Sequence, residues 1–183
     1  MKNNMSAVLA VMACGCLASC SVFGGNSALN IHGGTRSLSN DFDNVSDQSV
    51  GGAELVVGLG DGGWAVEAQG FYAENSEASS VNSSDSTVVT KELAFGARRT
   101  FFQNSPVRPY FGLGANWMDA ELKNGGFDNL TDDGFGGYAH VGVLAALFAF
   151  QVGIDLRGGL TSAELAGESL DYTQATIFLG LTW

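Results

Sequence analysis

The 183-residue chain carries 8 Lys and Arg against 19 Asp and Glu, a formal charge of −11, with 45% apolar residues and 26 glycines. Such acidity repels nucleic-acid phosphates, and the apolar content is too high for intrinsic disorder. The length suits one domain of ordinary size.

Lys2, the apolar run Ala7 to Ala18 and the small residues around it read as an export signal. The run is too short to span a bilayer, which takes about 20 apolar residues. It ends in "LASC", Leu17 to Cys20, which resembles the lipobox of bacterial lipoproteins; an ordinary signal peptide is the alternative. The resemblance implies a lipoprotein-type leader over 1–19, Cys20 as the lipidated first residue, and 20–28 as a tether. One acyl-bearing terminus anchors a chain to a membrane. Because Cys14, Cys16 and Cys20 all lie here, the body of the chain has no thiol for a disulfide or a metal.

Beyond the leader, apolar residues recur with period two, so the expected elements are strands. Eight are expected: Leu29 to Leu38, Val50 to Gly60, Trp64 to Ala73, Val88 to Phe102, Val107 to Met118, Gly134 to Leu147, Phe150 to Leu160 and Tyr172 to Trp183. Their connections alternate between long and short: "SNDFDNVSDQS", "DGG", "ENSEASSVNSSDST", "QNSP", "DAELKNGGFDNLTDD", a couple of residues near Phe148, and "TSAELAGESLD". Long and short ends therefore fall on opposite rims of one meander. The expected fold is all-β, an eight-stranded antiparallel up-and-down transmembrane β-barrel over 29–183, with short turns and both termini on the periplasmic side. The sixth junction has no Gly, Pro or Asn to mark its turn. Val152, Ile154 and Leu156 alternate there with Gln151, Gly153, Asp155 and Arg157, which favours a tight hairpin over a buried helix.

Each strand has an apolar and a polar face. Ala53, Leu55, Val57 and Leu59 oppose Glu54; Val66, Ala68 and Tyr72 oppose Glu67 and Gln69. Leu93, Phe95, Ala97 and Phe101 oppose Glu92 and Arg98, with Arg99 on the apolar face near the strand end, where it must reach headgroups. Phe111, Leu113, Ala115 and Trp117 oppose Tyr110, Gly112, Gly114 and Asn116. The charged face holds both signs, Glu54, Glu67, Glu92 and Asp155 against Arg36, Arg98, Arg108 and Arg157. A soluble barrel would turn that face to water. Lipid outside is favoured by aromatics near strand ends (Trp64, Tyr72, Phe101, Trp117, Trp183) and by glycines on the expected inner face. Glu54, Glu67, Glu92, Arg98, Arg108, Asp155, Arg157, His32 and His140 are expected to form a luminal network, since buried charges must be paired. Fourteen acids, from Asp41 to Asp171, are expected in or beside the long loops, either solvated or holding divalent cations that bridge to lipopolysaccharide.

The chain ends in "ATIFLGLTW". Ala175, Ile177, Leu179, Leu181 and Trp183 resemble the C-terminal signal by which the assembly machinery recognises outer-membrane barrels. "VRPYFGLGANW", Val107 to Trp117, is similar to a strand of small barrels of the OmpA/OmpX-like group. The resemblance covers Leu29 to Trp183 and implies an outer-membrane barrel plugged by side chains. Its expected partners are outer-membrane lipid, lipopolysaccharide and the barrel assembly machinery, with no nucleic acid, and its expected state is a monomer.

Some eight-stranded barrels modify lipid A, and a deacylase of that kind carries His-x-Ser-Asn. Here His140 opens "HVGV" and His32 opens "HGGT", and neither has a second metal ligand three or four residues away. No catalytic residue, cofactor or metal is therefore expected. The functional expectation is a non-enzymatic barrel acting through acidic surface loops in envelope integrity, adhesion or surface shielding; a lipid A-modifying enzyme is the alternative.

Overall fold

The computed structural model of the chain describes residues 27–39, 47–77, 86–124, 130–165 and 168–183. Cys20, the leader, the tether up to residue 26 and parts of the four long connections lie outside the described residues.

Alternating β-branched, aromatic and small residues suit a pleated strand with two different faces. The long strands are β1 (Ala28–Leu38), β2 (Asp47–Gly58), β3 (Trp64–Glu77), β4 (Ser86–Thr100), β5 (Val107–Asn124), β6 (Leu130–Leu147) and β7 (Phe150–Thr161). A small pair, β8 (Glu164–Leu165) and β9 (Glu168–Ser169), precedes the last long strand, β10 (Tyr172–Thr182). All eight long strands are antiparallel to their neighbours, and β1 pairs with both β2 and β10, so the sheet closes into a barrel. Followed one way from Thr35, the ladder reaches Glu74 on β3; followed the other way it reaches Trp64, a stagger of ten residues. With eight strands, such a stagger tilts them about 40° from the axis.

The sixth junction is a hairpin, with Leu147 paired to Phe150 and Phe148 and Ala149 between them. The terminal residue does not fray: Ser27 and Trp183 exchange backbone hydrogen bonds of 3.2 and 3.0 Å. Each N–H and carbonyl satisfied here matters, because a membrane core supplies no water to replace it.

The outer wall is apolar. Ile31, Leu113, Ile154, Ile177 and Leu179 are 56–70% exposed, whereas Arg36, Glu54, Glu92, Arg98 and Arg157 face inward and are buried. A soluble barrel has the reverse arrangement. No described helix is long and apolar enough to cross a membrane. Outward aromatics form two rows: Trp64, Phe101, Phe150 and Trp183 at the short-turn rim, and Tyr72, Trp117 and Phe135 toward the other. On β3, Trp64 and Tyr72 are separated by about 26 Å of strand, which at that tilt covers most of the roughly 25 Å apolar band of such barrels. Arg99 lies over the rings of Trp64 and Phe101, at 5.1 and 6.0 Å, so its guanidinium rests against the aromatic row at the short-turn rim.

Above the second aromatic row the pattern inverts. On β5 the inward side runs Tyr110, Gly112, Gly114, Asn116 and then Met118, Ala120, Leu122; the outward side runs Phe111, Leu113, Ala115, Trp117 and then Asp119, Glu121. Leu38, Val88, Met118, Ala120 and Leu170 pack into an apolar cluster at this level. The protruding wall is thus a small water-soluble barrel, oil within and charge without. Glu74, Asp119, Glu121, Asp132 and Asp133, placed beside loops by the sequence, lie on strand extensions instead. Water replaces lipid outside, so the face that must be apolar changes sides while the strand continues. β3 to β6 have 14, 15, 18 and 18 residues against 11 or 12 for β1, β2, β7 and β10, so one side of the barrel stands above the other.

Candidate functional site

The inward positions of the eight long strands converge on a narrow lumen, and their chemistry is repetitive. Arg98 lies over the ring of Tyr110 at 3.6 Å, Arg157 over Tyr138 at 3.8 Å and Arg36 over Tyr172 at 4.1 Å. Each tyrosine hydroxyl donates to a carboxylate: Tyr110 to Asp155 at 2.7 Å, Tyr138 to Glu67 at 2.7 Å and Tyr172 to Glu92 at 2.6 Å. A cation is thereby shared between a π-face and an anion, both desolvated, where each interaction is stronger than at a surface.

Three centres, two carboxylates and one imidazole, organise the network. Glu92 Oε2 accepts from Arg36 Nη2 at 2.5 Å, and its Oε1 accepts from Arg157 Nη2 at 2.8 Å and Asn116 Nδ2 at 3.1 Å. Arg36 also donates to Gln174 Oε1, and Arg157 to Gln69. Nearer the short turns, Glu54 accepts from Arg98 Nη1 at 3.1 Å, Asn30 Nδ2 at 2.5 Å and Gln69 Nε2 at 2.8 Å. The third centre is His140, with Nδ1 2.8 Å from Asp155 and Nε2 2.9 Å from Glu67. Only the Asp155 contact is aligned as a hydrogen bond; Nε2 faces Glu67 without hydrogen-bond geometry. Room for the ring comes from Gly112 across the ladder, where a Cβ would strike the imidazole and stand 3.0 Å from Glu67 Oε1.

Of the residues expected in the lumen, Glu54, Glu67, Glu92, Arg98, Asp155, Arg157, His32 and His140 are brought together and buried. Arg108 is not part of that network. It is half-buried at the short-turn mouth, where its Nε donates to the Ser105 carbonyl at 2.9 Å, because one residue into β5 the lumen already opens. A cavity of about 30 Å³ bounded by Arg98, Arg108, Gln151 and Thr182 has room for about one water. Tyr110, Tyr138, Tyr172, Gln69 and Gln174 complete the network beyond the expected residues, and their signal in the sequence is their place in the two-residue period.

His32 has Thr176 Oγ1 at 3.2 Å and Glu54 at 3.5 Å, the residue types of a hydrolytic triad. All three side chains face the lumen, and the Phe71 and Phe178 rings pack on His32 at 5.5 and 5.1 Å. The exposed apolar side chains lie on the opposite side of the wall. Among the described residues, no group of three or more His, Cys, Asp or Glu could hold a metal ion. Ala175, Ile177, Leu179, Leu181 and Trp183 all point outward from the strand that closes on β1.

A closed barrel with a salt-bridged lumen, an apolar outer wall and an aromatic row near each rim is a bacterial outer-membrane barrel. The chain belongs to the outer membrane protein beta-barrel domain family, whose model matches residues 6–183. Similar solved structures include Ail, the attachment invasion locus protein of Yersinia pestis, at 14% identity and a TM-score of 0.64, covering 88% of this chain and 100% of that one. Neisserial surface protein A is 13% identical with a TM-score of 0.59, covering 86% of this chain and 96% of that one. The N-terminal barrel of Pseudomonas aeruginosa OprF is 15% identical with a TM-score of 0.55, covering 85% and 97%. At these identities the likeness is one of fold. A comparison with curated protein sequences finds no match.

Proposed function

We propose that this is a non-enzymatic outer-membrane protein that acts through its acidic extracellular surface, in adhesion, surface shielding or envelope integrity. The observation that carries the reading is Glu92, held by Arg36 and Arg157 from strands across the lumen. Among the described residues such pairs fill the interior as eight strands allow, which favours a function on the outside. There, β3 to β6 lift Glu74, Asp119, Glu121 and Asp133 above the aromatic row, with Lys91 paired to Asp119 at 3.0 Å.

The same reading keeps Cys20 as the lipidated residue, the outward residues of β10 as the assembly signal, and lipid and lipopolysaccharide around a monomer. Ail of Yersinia pestis has a solved complex with the heparin analogue sucrose octasulfate. The acidic platform here repels such a polyanion, so a cationic or neutral partner suits it better.

Purified protein in planar bilayers is expected to show no discrete openings. Lipopolysaccharide incubated with it is expected to keep all its acyl chains by mass spectrometry. Cells displaying the protein should attach to a cationic matrix, and the combined Asp119→Asn, Glu121→Gln and Asp133→Asn variant should attach less. Attachment that ignores these changes, together with a gained or lost acyl chain, would favour the lipid A-modifying alternative.

A further inference from the structure

Two phenylalanines occupy backbone conformations that ordinarily belong to glycine. Phe102, in the turn after β4, has φ 50°, and Phe148, first residue of the β6–β7 turn, has φ 57°. A left-handed backbone is an outlier for a bulky residue, and primed hairpin turns usually place Gly, Asn or Asp there. Neither ring is buried by the protein, since Phe102 is 73% and Phe148 103% exposed. Both turns are nonetheless fixed: the Phe102 carbonyl accepts from Ser105 N–H, and the Ala149 carbonyl from Thr182 N–H, each at 2.8 Å. In water, the backbone conformation and the naked ring would both be unfavourable, and no ring contact among the described residues offsets them.

We propose that the short-turn rim is seated in the phospholipid interface of the inner leaflet, with Phe102 and Phe148 as its anchors. The surface is continuous with the lipid-facing wall, because Phe101 and Val107 flank the first turn and Leu147 and Phe150 the second, all exposed on the outside. Aromatic rings favour that depth, where one side is apolar and the other wet. The rim is therefore covered by lipid rather than standing free in the periplasm.

Asparagine separates the two roles of these residues, since it accepts a left-handed backbone but has no ring to bury. In vesicles of phosphatidylethanolamine and phosphatidylglycerol, Phe102→Asn and Phe148→Asn should each raise the unfolding equilibrium constant about tenfold. In the unsubstituted protein in lipid nanodiscs, a spin-labelled lipid should broaden the amide signals of Phe102 and Phe148, and a water-soluble gadolinium chelate should spare them. Asparagine variants as stable as the parent, or more so, would overturn the proposal. Broadening by the chelate as strong as at exposed Thr131 would also overturn it, and would leave the rings free for a periplasmic protein instead.

Discussion

Glu92→Gln is expected to destabilise the folded barrel by about 3–5 kcal/mol, the usual cost of removing one partner from a buried charge pair. Total stabilities are only about 5–15 kcal/mol, so this is a large share. The amide keeps the shape of the carboxylate but removes its charge. Arg36, fully buried, and Arg157, nearly so, would then face one another without the anion between them. Gln174 and Gln69 still accept from them but bring no compensating charge. Urea midpoints of the refolded protein in vesicles, read from tryptophan fluorescence, measure the loss. Lys91→Ala is the contrasting case: its pair with Asp119 is exposed, and its removal should cost less than about 1 kcal/mol. Equal effects at the two sites would mean that water reaches the lumen.

Leu113→Arg should cost about 2–4 kcal/mol in a bilayer. Leu113 points outward near the middle of the apolar band, between Ala97 and Ala139 on the neighbouring strands, so no acid is close enough to pair with the new charge. Thr131→Arg, also outward but above the upper aromatic row and beside Glu121, should change stability by no more than about 0.5 kcal/mol. The contrast depends on the solvent and not on the side chain. A barrel wetted by water everywhere would tolerate both substitutions alike.

The faces of the strands were legible because lipid and lumen impose opposite demands on alternate residues. Leu55 against Glu54, or Phe95 against Glu92, is enough to assign a side. Strand tops were not legible, for the same physical reason. Between Trp117 and Asp119 the outside changes from lipid to water, so "DAELK" keeps its alternation while exchanging its meaning, and the acids read as loop. Among the site residues, the charged ones announced themselves, since an arginine or glutamate in a membrane strand must be paired. Tyrosines did not. Tyr72 sits outside near the interface, whereas Tyr110, Tyr138 and Tyr172 fill the lumen, and only their position in the period tells the two uses apart. The small β8–β9 pair left no mark either, because two-residue strands are too short to show any period. The left-handed Phe148 was hidden for a different reason: hairpin signals are carried by glycine and asparagine, and this turn uses neither.

Labelling from the lipid phase tests directly whether oil wets the outer wall. With a carbene-generating acyl chain in nanodiscs, modification should map to Ile31, Phe95, Leu113, Ile154, Ile177 and Leu179. It should fade past Tyr72, Trp117 and Phe135, and should miss Glu54, Glu92 and Arg157. Label on those luminal residues, or on Asp119 and Glu121 as heavily as on Leu113, would contradict the account.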